Sequence, residues 1–319
     1  MGKTGASKEK LPYRCAYDWG EVLDGRVVFV TGVGRSGTTI FSKLLSSMAP
    51  ALYFDEPMLF NFFPLESSIP AIFYDDYVQR GIGQILERGP GALKGLNREF
   101  KSEGYPNTNR GILQFIKDVR PVIVVKLINS QPYISRYSQL FPGIRILHIV
   151  RNGLDVIKSA AFLDWYCDGE TVSESRLARI TTGPFNEMVH SDLDCNVPWY
   201  IPREEVGIWK DSDTLTRLAH SWSVLVQSQE VDLTYEDMCK NPSSIAASLS
   251  KTFDMQATDR TKAIIEDITN HKPRDYAWFN LKTGKKQSTS ISDIGKPIRE
   301  KFEVAMDKMQ YKIKGEKDG

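Results

Sequence analysis

The run Gly32-Val33-Gly34-Arg35-Ser36-Gly37-Thr38-Thr39 gathers residue types suited to holding an anion. Glycines let successive backbone N–H groups turn inward on a negative charge, and a helix starting just behind them adds unsatisfied N–H groups and a favourable dipole. Arg35, Ser36, Thr38 and Thr39 add side-chain donors to the same spot. Three other residues carry matching chemistry. Arg151 follows an apolar run directly and offers a planar fork suited to a phosphate dianion. Lys126 interrupts an apolar run, where a lysine is costly unless it reaches a charge or a polar cavity. Glu56, within Asp55-Glu56-Pro57, is a carboxylate able to take a proton.

The loop departs from the nucleoside-triphosphatase form G-x-x-x-x-G-K-[ST], in which lysine reaches the outer phosphates and the hydroxyl binds magnesium. Gly32 and Gly37 keep the spacing, but Thr38 occupies the lysine position and the cation has moved to Arg35. No apolar strand ends in the aspartate that would hold magnesium. A kinase or ATPase would therefore lack both its lysine and its metal ligand, and no metal is expected. A glycine-rich turn that merely joins a strand to a helix is common, so the loop needs its context.

That context is present. Arg26 to Thr31 reads as a buried strand, and Ile40, Phe41, Leu44, Leu45 and Met48 recur at helical spacing up to Pro50. Further strands are expected at 51–54, 121–128, 144–150 and, more weakly, 229–235. Helices are expected at 74–87, 112–119, 154–162, after Pro242 and from Pro297 to Tyr311. Strands alternating with helices predict an α/β fold: a single domain with a central parallel sheet flanked by helices, of the P-loop nucleotide-binding type. Ligands of such sheets sit beyond the carboxyl ends of the strands, where Glu56, Lys126, Arg151 and the glycine loop all fall. Residues 1–24 read as a tail, 25–314 as the domain, and 164–210 as an insertion over the acceptor site.

Composition adds limits. The 319 residues carry 41 basic and 40 acidic side chains, so no global field points to nucleic acid or a membrane surface, and attraction for an anion must be local. Cys15, Cys167, Cys195 and Cys239 are scattered and form no C-x-x-C pair, against a zinc site or a disulfide framework. Met1 to Lys10 is polar and basic with no apolar run behind it, and no apolar stretch of ~18 residues follows elsewhere. The expectation is a soluble, cytoplasmic protein; its oligomeric state is left open.

Taken together, these motifs resemble those of sulfotransferases that use 3′-phosphoadenosine 5′-phosphosulfate (PAPS). Their phosphosulfate loop reads R/K-S-G-T-T before a helix, as Arg35 to Thr39 does here. Their second element, an apolar strand running into R-[DN]-x-x-D-x-x-x-S, is matched from Ile149 to Ser159. Thr234-Tyr235-Glu236-Asp237-Met238 is similar to the family's Y-E-D-L. The resemblance implies donor binding by Gly34, Arg35, Ser36, Gly37, Thr38, Thr39 and Tyr235, with Arg151 and Ser159 on the 3′-phosphate. Ser159 lies about two helical turns past Arg151, so one anion reaches both only if the chain bends between them. Lys285 to Pro297 resembles a segment that closes over the nucleotide in tyrosylprotein sulfotransferases, which would add Ser288 and Lys296; a solvated lysine-rich loop is the other reading.

Sulfuryl transfer, like phosphoryl transfer, is mostly positioning and charge stabilisation of an in-line displacement. Arg35 and Lys126 are the candidates for that charge work. The cytosolic small-molecule enzymes place a catalytic histidine two residues after a similar lysine, but here that position is Ile128. Glu56 is therefore the expected base, and its E-P element resembles that of carbohydrate sulfotransferases. His148 is a rival, though its mid-strand place suits a core histidine. The first acceptor hypothesis is a hydroxyl or amine of a small metabolite or natural product; a carbohydrate or tyrosyl peptide is the second. A non-catalytic nucleotide-binding module is the reading from another class. Trp165, Tyr166, Trp199, Tyr200 and Trp209 are candidates either for an aromatic acceptor pocket or for packing.

Overall fold

The computed structural model describes residues 25–55, 114–115, 117–129, 131, 144–161, 197–198, 200–227, 230–270 and 290–310, with backbone alone at 54 and 55. Within them five strands form one sheet: β1 (Val27–Gly32), β2 (Ala51–Asp55), β3 (Val122–Ile128), β4 (Arg145–Val150) and β5 (Leu233–Thr234). The spatial order is β2-β3-β1-β4-β5 and every pairing is parallel. The expected parallel α/β architecture is borne out. β1 sits at the centre with all six residues buried, which its unbroken apolar run requires.

Helices supply the rest. The helix after the loop, α1 (Thr38–Ser46), buries Phe41, Leu44 and Leu45 at i, i+3, i+4 spacing. It ends two residues before the expected Met48, and the Ser47 hydroxyl turns back onto the Leu44 carbonyl at 2.6 Å and lies 3.0 Å from Thr261. Then follow α2 (Gly153–Ala161), α3 (Val206–Asp211), α4 (Thr214–Gln227), α5 (Tyr235–Lys240), α6 (Pro242–Phe253), α7 (Asp259–Thr269) and α8 (Lys296–Lys308). Helices α3, α4, α5 and α7 are not among those expected from the sequence.

Two apolar clusters result. The first joins β1, β2 and β3 to α1 and to Met238, Leu249, Phe253 and Ile264 of the later helices. The second gathers Val33 and Val150 with α2, α4 and α8, around Trp222 and Phe302. Tyr200 and Trp209 belong to this second cluster, 9% and 2% exposed, and the Tyr200 hydroxyl pairs with Ser221 at 2.7 Å. Among the described residues both serve as packing; Trp165, Tyr166 and Trp199 lie outside the described residues. Among the described residues, no helix is long and apolar enough to cross a membrane.

Candidate functional site

Register brings the chemistry to one end of the sheet. Gly32, the last residue of β1, pairs with Ile128, the last of β3, while Thr31 pairs with His148 on β4. The loop from Val33 to Gly37 thus leaves between the carboxyl ends of β3 and β4. It closes on itself through Ser36 N–H to the Val33 carbonyl at 3.0 Å. Gly32 must be glycine for packing reasons: a Cβ there would lie 2.4 Å from the Ile149 carbonyl oxygen. Gly37 begins α1 with φ 87° and no side-chain cap, so the first N–H groups of the helix stay available to an anion.

Arg35 is the centre of the site. Its backbone is left-handed, φ 73°, a conformation that a non-glycine residue keeps only when its surroundings over-determine it. Its Nε donates to Ser159 Oγ at 3.0 Å, and its carbonyl accepts Arg151 Nη1 at 3.3 Å. Arg35 thus contacts both Arg151 and Ser159 and spans the distance between them. Burial, and then the charge of Arg151, hold the Arg35 guanidinium below its ordinary pKa. Among the described residues no carboxylate pairs with either arginine, and Arg151 Nε and the fully buried Ser36 Oγ have no hydrogen-bond partner. Among the described residues, two cations without a carboxylate partner and two donors without an acceptor thus gather by the loop, an arrangement suited to an anion.

Tyr235 forms the wall. Its ring lies under the Arg151 guanidinium, 4.5 Å from carbon to centroid, and a Cβ added to Gly37 would stand 2.3 Å from the ring. Tyr235 opens α5 because Thr234 caps that helix, its hydroxyl accepting the Asp237 N–H at 3.1 Å. The strand expected to run through Tyr235 therefore stops at Thr234. Burial raises the Tyr235 pKa and also that of the neighbouring Cys239 thiol.

Lys126 is 4% exposed and reaches Thr39 Oγ1 at 3.0 Å, the polar destination its place in an apolar strand requires. Its partner in register is Asp55, the last residue of β2. Glu56, next in the chain, lies outside the described residues, as do Ser288, His190 and His271. Lys296 is exposed at the start of α8, and among the described residues no hydrogen bond or ion pair joins it to the loop. His148 is a core residue: 1% exposed, its Nδ1 on the Glu230 carbonyl at 2.9 Å and its N–H on Asp232 at 2.7 Å. His220 is buried too, held by Glu205, which also binds Lys301. Asp155 is exposed in the first turn of α2, where Asn152 caps Leu154 at 3.1 Å.

Supporting residues went unseen in the sequence. Asn129, just past β3, accepts the Gly34 N–H at 2.9 Å, so that group is already occupied. Trp222 of α4 donates its indole N–H to the Arg151 carbonyl at 3.3 Å and packs on Phe302 of α8 at 5.2 Å. A Cβ at Gly153 would meet that Phe302 ring at 2.7 Å, so glycine is what lets α8 close beneath α2. No residue-spacing signal marks Asn129 or Trp222.

No curated protein matches the chain at a significant level. Among solved structures it is similar to sulfotransferase STF9 from Mycobacterium avium, at 14% identity over 92% of this chain and 80% of that one, TM-score 0.41. It is also similar to a retinol dehydratase crystallised with retinol and PAP, at 14% identity over 92% of this chain and 84% of that one, TM-score 0.37. A sequence model described as the sulfotransferase family matches residues 27–192, more than half of the 319 and including the loop, Lys126, Arg151 and Ser159. The chain belongs to the sulfotransferase family, and it is a sulfotransferase.

Proposed function

We propose that this enzyme takes its sulfuryl group from PAPS and delivers it to a hydroxyl or amine of a small metabolite or natural product. The observation that carries this reading is the pair of arginines, Arg35 and Arg151, drawn together at the start of α1 with Ser159 beside them and no carboxylate partner among the described residues. A nucleotide with phosphate at both 3′ and 5′ positions answers that arrangement better than a single anion does. Arg151 and Ser159 hold the 3′-phosphate over the Tyr235 ring, and the N–H groups of Gly37, Thr38 and Thr39 hold the 5′ anion. Arg35 and Lys126 balance charge at the sulfuryl oxygens without a metal ion. Glu56 receives the proton of the attacking O–H or N–H; a new bond to sulfur forms as the bond from sulfur to the 5′-phosphate oxygen breaks. Ser288 and Lys296 close over the nucleotide.

The deciding experiment titrates adenosine 3′,5′-bisphosphate, then follows labelled PAPS across a panel of phenols, alkanols, amines, sugars and tyrosyl peptides with mass detection. Binding followed by transfer to small alcohols or amines is expected. Tight binding with no turnover on the whole panel would favour the nucleotide-binding module, and no binding at all would remove the donor assignment.

A further inference from the structure

Asn129 is the first residue past β3, outside every motif that identified the site. Its backbone is left-handed, φ 54°, a conformation that asparagine tolerates better than most residues. Two hydrogen bonds fasten it to the loop. Its N–H donates to the Gly32 carbonyl at 2.9 Å, and its Oδ1 accepts the Gly34 N–H at 2.9 Å, across 95 positions of sequence. A backbone N–H only donates, so the carboxamide oxygen must face Gly34 and the side-chain orientation is settled by chemistry.

The tie acts on the Val33–Gly34 peptide, one residue ahead of Arg35. That residue is left-handed, and its Nε and carbonyl carry the contacts to Ser159 and Arg151. If the Gly34 N–H were free it would compete for the anion, or turn outward and let Arg35 relax to an ordinary backbone. We infer that Asn129 is a positioning residue for the anion loop: through Gly34 it holds Arg35 in the conformation that serves the 5′ anion. The inference rests on the donor reading given above, and it assigns a role to the strand end that has Ile128 where related enzymes have histidine. Asn129 does its work without touching substrate.

The test uses the full chain and two nucleotides. Asn129→Gly keeps the left-handed freedom and deletes the carboxamide. Adenosine 3′,5′-bisphosphate probes both anion positions; adenosine 3′-phosphate probes only the Arg151 side. Calorimetry should show the bisphosphate weakened about tenfold, the scale of one lost hydrogen bond, and the 3′-phosphate weakened clearly less, because Arg151 keeps its place over the Tyr235 ring. Exchange of the Gly34 amide, followed by NMR in the free protein, should quicken in Asn129→Gly and stay slow in Asn129→Asp, which keeps an acceptor. Equal weakening of both nucleotides would mean a merely structural role and overturn the assignment. So would unchanged bisphosphate affinity beside faster Gly34 exchange. If the wild-type chain binds neither nucleotide, the donor reading fails, while unchanged Gly34 exchange in Asn129→Gly would independently overturn the tether.

Discussion

Arg35 Nε and Ser159 Oγ lie 3.0 Å apart, although 124 positions of sequence separate them. This contact joins the loop motif to the strand-helix motif and makes them one site. It gives the first prediction. Ser159→Ala should weaken adenosine 3′,5′-bisphosphate by roughly tenfold, and Arg151→Ala by 10- to 100-fold, as expected for neutral and charge-assisted hydrogen bonds. Adenosine 5′-phosphosulfate, which has no 3′-phosphate, should lose far less to either change. Equal losses for both nucleotides would place the 3′-phosphate elsewhere.

Gly37 is pinned twice, by φ 87° and by the Tyr235 ring. Gly37→Ala should destabilise the fold by about 1–2 kcal/mol from the left-handed backbone alone, and by more from the collision. Adding Tyr235→Ala should recover the collision part of the melting-temperature loss. Nucleotide affinity should not recover, because the platform beneath Arg151 has gone. A double variant no more stable than the single one would remove the steric explanation.

Lys126 is buried on Thr39, so Lys126→Met exchanges a buried ammonium for an apolar chain of similar length. Stability should hold or rise. Turnover should fall by roughly 100- to 1000-fold, the usual effect of losing one donor aimed at developing charge. The companion variant Glu56→Gln should bind nucleotide normally and turn over at least 100-fold more slowly, as for loss of a general base. Near-normal rates in Glu56→Gln would move the base to another residue.

Stability should also depend on pH through buried histidines. His148 and His220 both have pKa values lowered chiefly by burial. Below the ordinary value near 6.5 the unfolded chain takes up protons that the folded chain refuses, so stability falls with pH from that point until the lowered value is reached. His148→Asn, whose amide can still donate to the Glu230 carbonyl, should flatten part of this slope in a series of melting temperatures between about pH 7 and 5. The His220 share should remain. An unchanged slope would show that His148 does not titrate in this window.

The sheet and the anion site were legible because each depends on short contiguous patterns. β1, β3 and β4 are largely apolar runs, β3 broken by Lys126 and β4 by His148, and the loop and the Arg151 element keep their spacing within a dozen residues. Helix α4 was hidden because it is buried nearly all round, with Thr216, His220, Ser221 and Ser223 interrupting any apolar stripe. Helix α7 begins with a capping box between Thr258 and Thr261, a pairing of two threonines instead of the usual serine or threonine with glutamate. Asn129 and Trp222 act across 95 and 71 positions, distances over which no spacing rule operates. The Arg35 bridge between Arg151 and Ser159 is hidden for the same reason, since it spans 116 and 124 positions of sequence.

Helices α4 and α8 run side by side in the same direction, tied at one end by Gly295 N–H to Thr216 at 2.8 Å and at the other by Lys308 to the Gln227 carbonyl at 3.1 Å. Between those ties lie Trp222, which holds the Arg151 carbonyl, and Phe302, which fills the space under Gly153. The region that matches the family stops at residue 192, yet the arginine inside it is braced by helices that begin after it. A shortened version trimmed to the family boundary would keep the loop and the Arg151–Ser159 motif, but lose Tyr235 and the floor on which the second of them stands. Fragments made for crystallisation or display therefore need to run at least through Met309.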